Sequence, residues 1–142
     1  MQKYSIFWIE EEFCFHYFYK SEILYRFLNE YLSNASRSDL LAQFKFVTKN
    51  IPYHPLMTDI RKYHKNKIKI IKNGKDIILL LDNHPLEIQC YDRYMTVSCS
   101  SVEIADNVLF QALKAFHPSF FIIENGTTNS GWITPVKKEI LL

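Results

Sequence analysis

Apolar residues recur along this chain in two rhythms, one of period two and one near 3.6, and the switches between them mark out its elements. Tyr4 to Ile9 is rich in β-branched and aromatic residues and is cut off by Glu10, Glu11 and Glu12. That pattern predicts a strand feeding directly into a helix, whose first turn favours negative charge. From Glu11 to about Ser33 the spacing is helical, with Leu24, Phe27, Leu28, Tyr31 and Leu32 on one stripe. A break near Tyr19 to Ser21 divides it into two helices. Asn34 to Asp39 is a polar connection. Leu40 to Thr48 reads two ways: Leu40, Leu41, Phe44 and Val47 suit a helix, while Phe44 and Phe46 alternate as in a strand. Ile51-Pro52 and His54-Pro55 are then expected to end any regular element, because a residue before proline is pushed out of the helical region.

Asn73-Gly74 predicts a hairpin, since a type I′ turn needs positive φ at both central residues and this pair tolerates it. A two-residue loop there sets Ile70 against Ile77 and Ile68 against Leu79. A second hairpin runs from Leu86 to Tyr91 and from Tyr94 to Cys99 around Asp92-Arg93, opposing Leu86 to Cys99, Ile88 to Val97 and Cys90 to Met95. Ser100 and Glu103 have capping-box spacing, and Ile104, Ala105, Val108, Leu109, Ala112, Leu113 and Phe116 form a helical stripe behind them, ending at His117-Pro118. Phe120 to Ile123 reads as a strand, Asn125 to Gly131 as a polar loop and Trp132 onward as a short extended tail. Without repeats or a composition break, residues 1–142 read as a single α+β domain: a mainly antiparallel sheet with helices packed against it.

Composition narrows the function classes. At 142 residues with 48% hydrophobic and 23% charged content, an ordinary core is within reach. Only three glycines leave little material for phosphate-cradling loops, and a net charge of +2 is too small to mark a nucleic-acid or membrane binder by itself. Cys14, Cys90 and Cys99 have no CxxC spacing, which fits a reducing cytoplasm better than a disulfide framework. The apolar N-terminal stretch is too short for a signal peptide, and Ile77 to Leu81 is far too short to span a membrane.

Catalytic chemistry is hard to place. Cys14 and His16 are two apart, so on a helix they point in different directions. Glu12 and His16 share a face, yet zinc needs three or four ligands and no HExxH occurs. His54, His64, His84 and His117 lack ligand spacing. Neither a catalytic group, a cofactor nor a metal is expected. Arg61, Lys62, Lys65, Lys67, Lys69, Lys72 and Lys75 could track phosphate, which makes a nucleic-acid-binding regulator using 61–75 the rival reading. The sequence favours a solvated hairpin edge there, where lysine discourages edge-to-edge pairing and no aromatics interleave the charges.

Phe13, Phe15, Tyr17, Phe18 and Tyr19 exceed what one helical face can hide. Pattern alone leaves them divided between core and a protein-binding hot spot.

Tyr4-Ser5-Ile6 through Glu11-Glu12-Phe13, then His16-Tyr17-Phe18 and Ser21, resembles the N-terminal signature of the SirA family, sporulation inhibitors of replication in spore-forming bacteria. Gly131-Trp132 with Pro135-Val136-Lys137 is similar to that family's closing motif, and Gln43, Phe46-Val47-Thr48 and Ile51-Pro52 to its middle one. The resemblance implies a monomeric inhibitor that binds the N-terminal domain of the replication initiator DnaA and blocks initiator assembly at the origin. It implies no direct nucleic-acid or membrane contact. Residue by residue, it implies a binding face of Phe13, Tyr17 and Gln43, with Phe15, Phe18 and Tyr19 left for packing. Residues 53–81 match none of the family's motifs.

Overall fold

The computed structural model describes residues 1–134. Its strands are β1 (Gln2–Trp8), β2 (Lys69–Asn73), β3 (Asp76–Leu81), β4 (His84–Cys90), β5 (Tyr94–Cys99), β6 (Phe120–Glu124) and β7 (Ser130–Trp132). They form one antiparallel sheet in the order β2-β3-β4-β5-β1-β6-β7. The helices are α1 (Glu11–Tyr17), α2 (Ser21–Ser33), α3 (Ser38–Val47), α4 (Tyr53–Tyr63) and α5, the last built from Val102–Ala105, a π-helical turn Asp106–Phe110 and Gln111–Phe116. The α+β architecture expected from the sequence is the one observed.

β1 is apolar almost throughout because it is central and covered on both faces. Tyr4, Ile6 and Trp8 join the core under α4 and α5, with Leu79, Leu86, Ile88, Met95 and Val97. Phe7 and Ile9 face the other way, into a second cluster with Leu24 and Leu28 of α2 and Leu40, Phe44 and Val47 of α3. Each fully buried aliphatic contributes roughly 1.5–3 kcal/mol relative to an exposed one. Ser5, the buried polar residue of β1, donates its hydroxyl to Asn125 Oδ1 at 2.9 Å.

Residues 40–47 are helical, which settles the ambiguity. Leu40, Phe44 and Val47 fall at i, i+4 and i+7 and are buried. Phe46, which a strand would place beside Phe44, is thrown onto the flank and is 69% exposed.

Four local expectations require correction. Residues 53–63 form a helix despite the two X-Pro pairs: Pro52 precedes its first residue and Pro55 is its third, where backbone N–H groups have no intrahelical partner. The 6→1 and 5→2 bonds of a Schellman motif close α4, Asn66 N–H to Arg61 O and Lys65 N–H to Lys62 O, both at 2.9 Å, with Lys65 at φ +55°.

The first hairpin turns one residue later than expected. Gly74-Lys75 is the loop, so Ile70 faces Leu79 and Lys72 faces Ile77. Gly74 has φ +62° while Asn73 is not left-handed, the glycine-first pattern of a II′ turn. The mirror-image I′ geometry lies instead at Asp82-Asn83, φ +50° and +64°, between β3 and β4.

The cap of α5 is Ser101, whose Oγ accepts from Ile104 N–H at 3.2 Å, and not Ser100. Finally, Gly131 and Trp132 pair with Ile122 and Phe121 in β7, where a loop and a tail were expected. The tail beyond Thr134 and the Pro135-Val136-Lys137 motif lie outside the described residues. The hairpin around Asp92-Arg93 has the expected register, with Ile88 opposite Val97 and Cys90 opposite Met95.

Candidate functional site

α1 has no buried residue. It leaves β1 through Ile9 and Glu10 and is held against α3 by the main chain: Glu10 N–H donates to Val47 O at 2.8 Å, and Lys49 N–H to Trp8 O at 2.7 Å. Arg93, from the β4–β5 turn, donates through Nη1 to the carbonyls of Lys45 at 3.0 Å and Thr48 at 2.5 Å. A fixed cation at the C-terminal end of α3 also suits that helix's dipole. The two helices are thereby held side by side.

Phe13 and Tyr17, one turn apart, are half-buried against the α2–α3 core and stack on each other with ring centroids 6.4 Å apart. Phe13 also meets Phe46 of α3 edge-on at 5.2 Å. Gln43 lies one turn before Phe46 on the same flank of α3; it is exposed, and its amide makes no hydrogen bond among the described residues. The fold thus brings Phe13, Tyr17 and Gln43 to one surface, with Phe46 at its centre. Phe46 was quoted in the middle motif but not counted with the site. A helical reading of 40–47, with Phe46 off the Leu40–Phe44–Val47 stripe, is the signal that finds it.

Charged groups of both signs border this surface, with Arg37 and Lys45 exposed beside the acids. Glu12 is exposed on α1, and Asp39 lies one turn before Gln43. Arg37 Nη2 donates to Asp39 Oδ2 at 2.6 Å, and that hydrogen bond holds the Asp39 carboxyl below its ordinary range.

The remaining aromatics of α1 divide differently from expectation. Phe18 packs on Trp132, with centroids 5.6 Å apart. Phe15 and Tyr19 do not pack inside: they are 81% and 64% exposed, Phe15 on the outer side of α1 and Tyr19 in the turn after it.

The polar side chains near the site serve structure. Ser119 Oγ lies 2.7 Å from His117 Nδ1, and His117 Nε2 lies 3.4 Å from Glu11 Oε1, a chain of contacts resembling a catalytic triad. Ser119 is only 1% exposed, however, and its N–H also donates to Nδ1 at 3.2 Å, so the ring clasps the turn after α5 to the start of α1. Burial, helped by Glu11, pushes the Cys14 thiol up, opposite to the lowered value an activated thiol requires. Among the described residues no three His, Cys, Asp or Glu gather as a metal site, and no helix is long and apolar enough to cross a membrane.

The fold and this surface define a small α+β protein with an exposed aromatic cluster on two clamped helices. The chain belongs to the SirA family. Residues 2–137 match the family described as "Sporulation inhibitor of replication protein SirA". The chain is similar to the protein of that name from Bacillus subtilis (strain 168), at 23% identity over 149 residues covering 95% of each.

Proposed function

We propose that this chain is a cytoplasmic inhibitor of chromosome replication initiation, made for sporulation. In this reading it binds the N-terminal domain of the initiator DnaA as a monomer and blocks initiator assembly at the origin. The observation that carries the reading is the Phe13–Tyr17–Phe46 cluster with the unpaired Gln43 amide beside it. Aromatic rings held rigid by a scaffold are the usual anchors of protein interfaces. A free amide at their margin can donate and accept hydrogen bonds that fix orientation. Family membership supports the same reading.

Binding through this surface needs no chemistry from the inhibitor. A domain of this size, seated on the initiator's N-terminal domain, obstructs neighbouring initiator molecules by occlusion. Aromatic rings with a free amide beside them favour a partner patch with an apolar hollow bordered by hydrogen-bonding groups.

The test is co-elution of the full chain with the isolated initiator domain on a sizing column, with affinity measured by calorimetry. Phe13→Ala, Tyr17→Ala and Gln43→Ala should each weaken the complex tenfold or more while the circular dichroism spectrum stays unchanged. A complex of undiminished affinity in all three variants would remove the site assignment.

A further inference from the structure

β2 is an edge strand of the sheet, and the loop from α4 into it is strongly basic. Residues 61–75 hold seven of the chain's 17 lysines and arginines and none of its 15 acids, leaving ten cations against 15 anions elsewhere. The small net charge therefore conceals a strongly polarised molecule. All seven cationic side chains are exposed, and none is paired with a carboxylate among the described residues.

Protection of a free edge accounts for lysines on β2 itself. It does not account for Arg61 and Lys62, which stand on α4, nor for Lys65. That residue occupies the left-handed position closing the Schellman motif, where glycine is the usual choice, and Asn66 follows it at φ +63°. A lysine is thus kept, exposed, in a backbone conformation that disfavours it. Strain of this kind is characteristic of functional positions.

We propose that this edge, from Arg61 to Lys75, binds the phosphate backbone of duplex DNA without regard to sequence. The five residues of β2 span roughly 17 Å, and a duplex presents about one charge per 1.7 Å along its axis. The basic stretch, with Lys69 and Lys72 on β2 and Lys67 and Lys75 just beyond its ends, therefore runs beside a length of duplex carrying on the order of ten phosphate charges. Tyr63 and His64 at the end of α4 are the aromatic rings of the stretch and none interrupts Lys65 to Lys75, so the edge lacks the row of stacking platforms of a single-strand binder. The aromatic surface remains free, and one molecule can touch DNA with one side and a protein with the other.

The experiment is fluorescence anisotropy of an end-labelled duplex of arbitrary sequence, titrated with the full chain at several salt concentrations. Affinity should fall linearly with salt on logarithmic axes, by about 0.9 in slope per phosphate contact. Replacing Lys65, Lys67 and Lys69 together by glutamine should cost at least tenfold at low salt and flatten the slope by about 3, whereas the matching arginine variant should keep both. Should neutralising the edge cause aggregation, Arg61→Gln with Lys62→Gln on the helix should still flatten the slope by about 2. Phe13→Ala should bind DNA normally, which separates this surface from the protein-binding one. Absent salt-dependent binding, binding unaltered by the glutamine variants, or binding to phosphatidylserine vesicles but not to duplex would each overturn the proposal.

Discussion

The ring of Phe13 on α1 meets the ring of Phe46 on α3 edge-on, with centroids 5.2 Å apart, across the seam between the two helices. This contact makes one surface of residues far apart in sequence. Phe46 is 69% exposed, so its ring adds little to the stability of the free chain. Phe46→Ala is expected to weaken the proposed complex with the initiator domain by roughly 1–3 kcal/mol, in the range of an interface anchor. Its urea midpoint should move little. Calorimetry on the complex beside urea titration of the free protein separates the two effects.

Arg93 supports that seam from behind. Its guanidinium donates to two carbonyls at the end of α3, Lys45 and Thr48, next to the Phe46 backbone. Arg93→Ala should cost about 1.5–3 kcal/mol in urea unfolding, as for hydrogen bonds with a charged partner. Arg93→Lys should recover only part, because both bonds come from Nη1 and the shorter lysine stem stops one bond short of that position. Partner affinity should fall with Arg93→Ala although residue 93 is not counted among the site residues.

Much of this arrangement was legible in the sequence, and the failures have physical causes. β1, the α1–α2 break, the hairpin around Asp92-Arg93 and the helical stripe of α5 follow from period and turn chemistry. The resemblance placed Phe13, Tyr17 and Gln43, and the fold brings those three together. α4 was missed because X-Pro pairs were read as stops, although proline is well tolerated in a helix's first turn. Phe46 was not counted because pattern alone left 40–48 undecided between helix and strand. Phe15 and Tyr19 were assigned to packing, yet the inner side of α1 is taken by Phe13 and Tyr17, Phe15 is on its outer side, and Tyr19 lies in the turn that follows. Lys65 in a left-handed conformation carries no sequence signal, because glycine is what that position advertises.

The shifted first hairpin can be checked directly. Gly74 has φ +62°, where an L side chain is strained, while Asn73 sits in ordinary strand pairing with Asp76. Gly74→Ala should destabilise by roughly 1–2 kcal/mol. Asn73→Ala should change stability much less. Equal losses in thermal unfolding would instead support a loop centred on Asn73-Gly74.

The cap of α5 offers a similar contrast between adjacent serines. Ser101 Oγ accepts the Ile104 N–H, whereas Ser100 is exposed and makes no such bond. Ser101→Ala should cost about 1 kcal/mol in urea unfolding, and Ser100→Ala should be close to neutral. The reverse order would restore the capping box expected from the sequence.

Alkaline pH should weaken the fold. The Tyr53 hydroxyl lies 2.6 Å from Tyr91 O and 2.9 Å from Tyr94 O, two carbonyls that can only accept, so the phenol must keep its proton to tie α4 to the β4–β5 turn. Burial is the main cause pushing Tyr53 well above its ordinary value, and the Cys90 charge adds to it. Burial likewise raises Tyr4, Tyr94, Cys14, Cys90 and Cys99. Each such group binds its proton more tightly folded than unfolded. Its contribution is complete below the unfolded values, about 8.5 for thiols and about 10 for phenols, and is lost as pH rises through the folded value. Urea titrations should therefore give a steady unfolding free energy from about pH 7 to 8 and a declining one above about pH 9. Tyr53→Phe removes both the hydrogen bond and the titration, so it should be less stable at neutral pH and decline less steeply above about pH 10. A decline as steep in Tyr53→Phe as in the parent chain would assign the alkaline loss to the thiols and the other phenols instead.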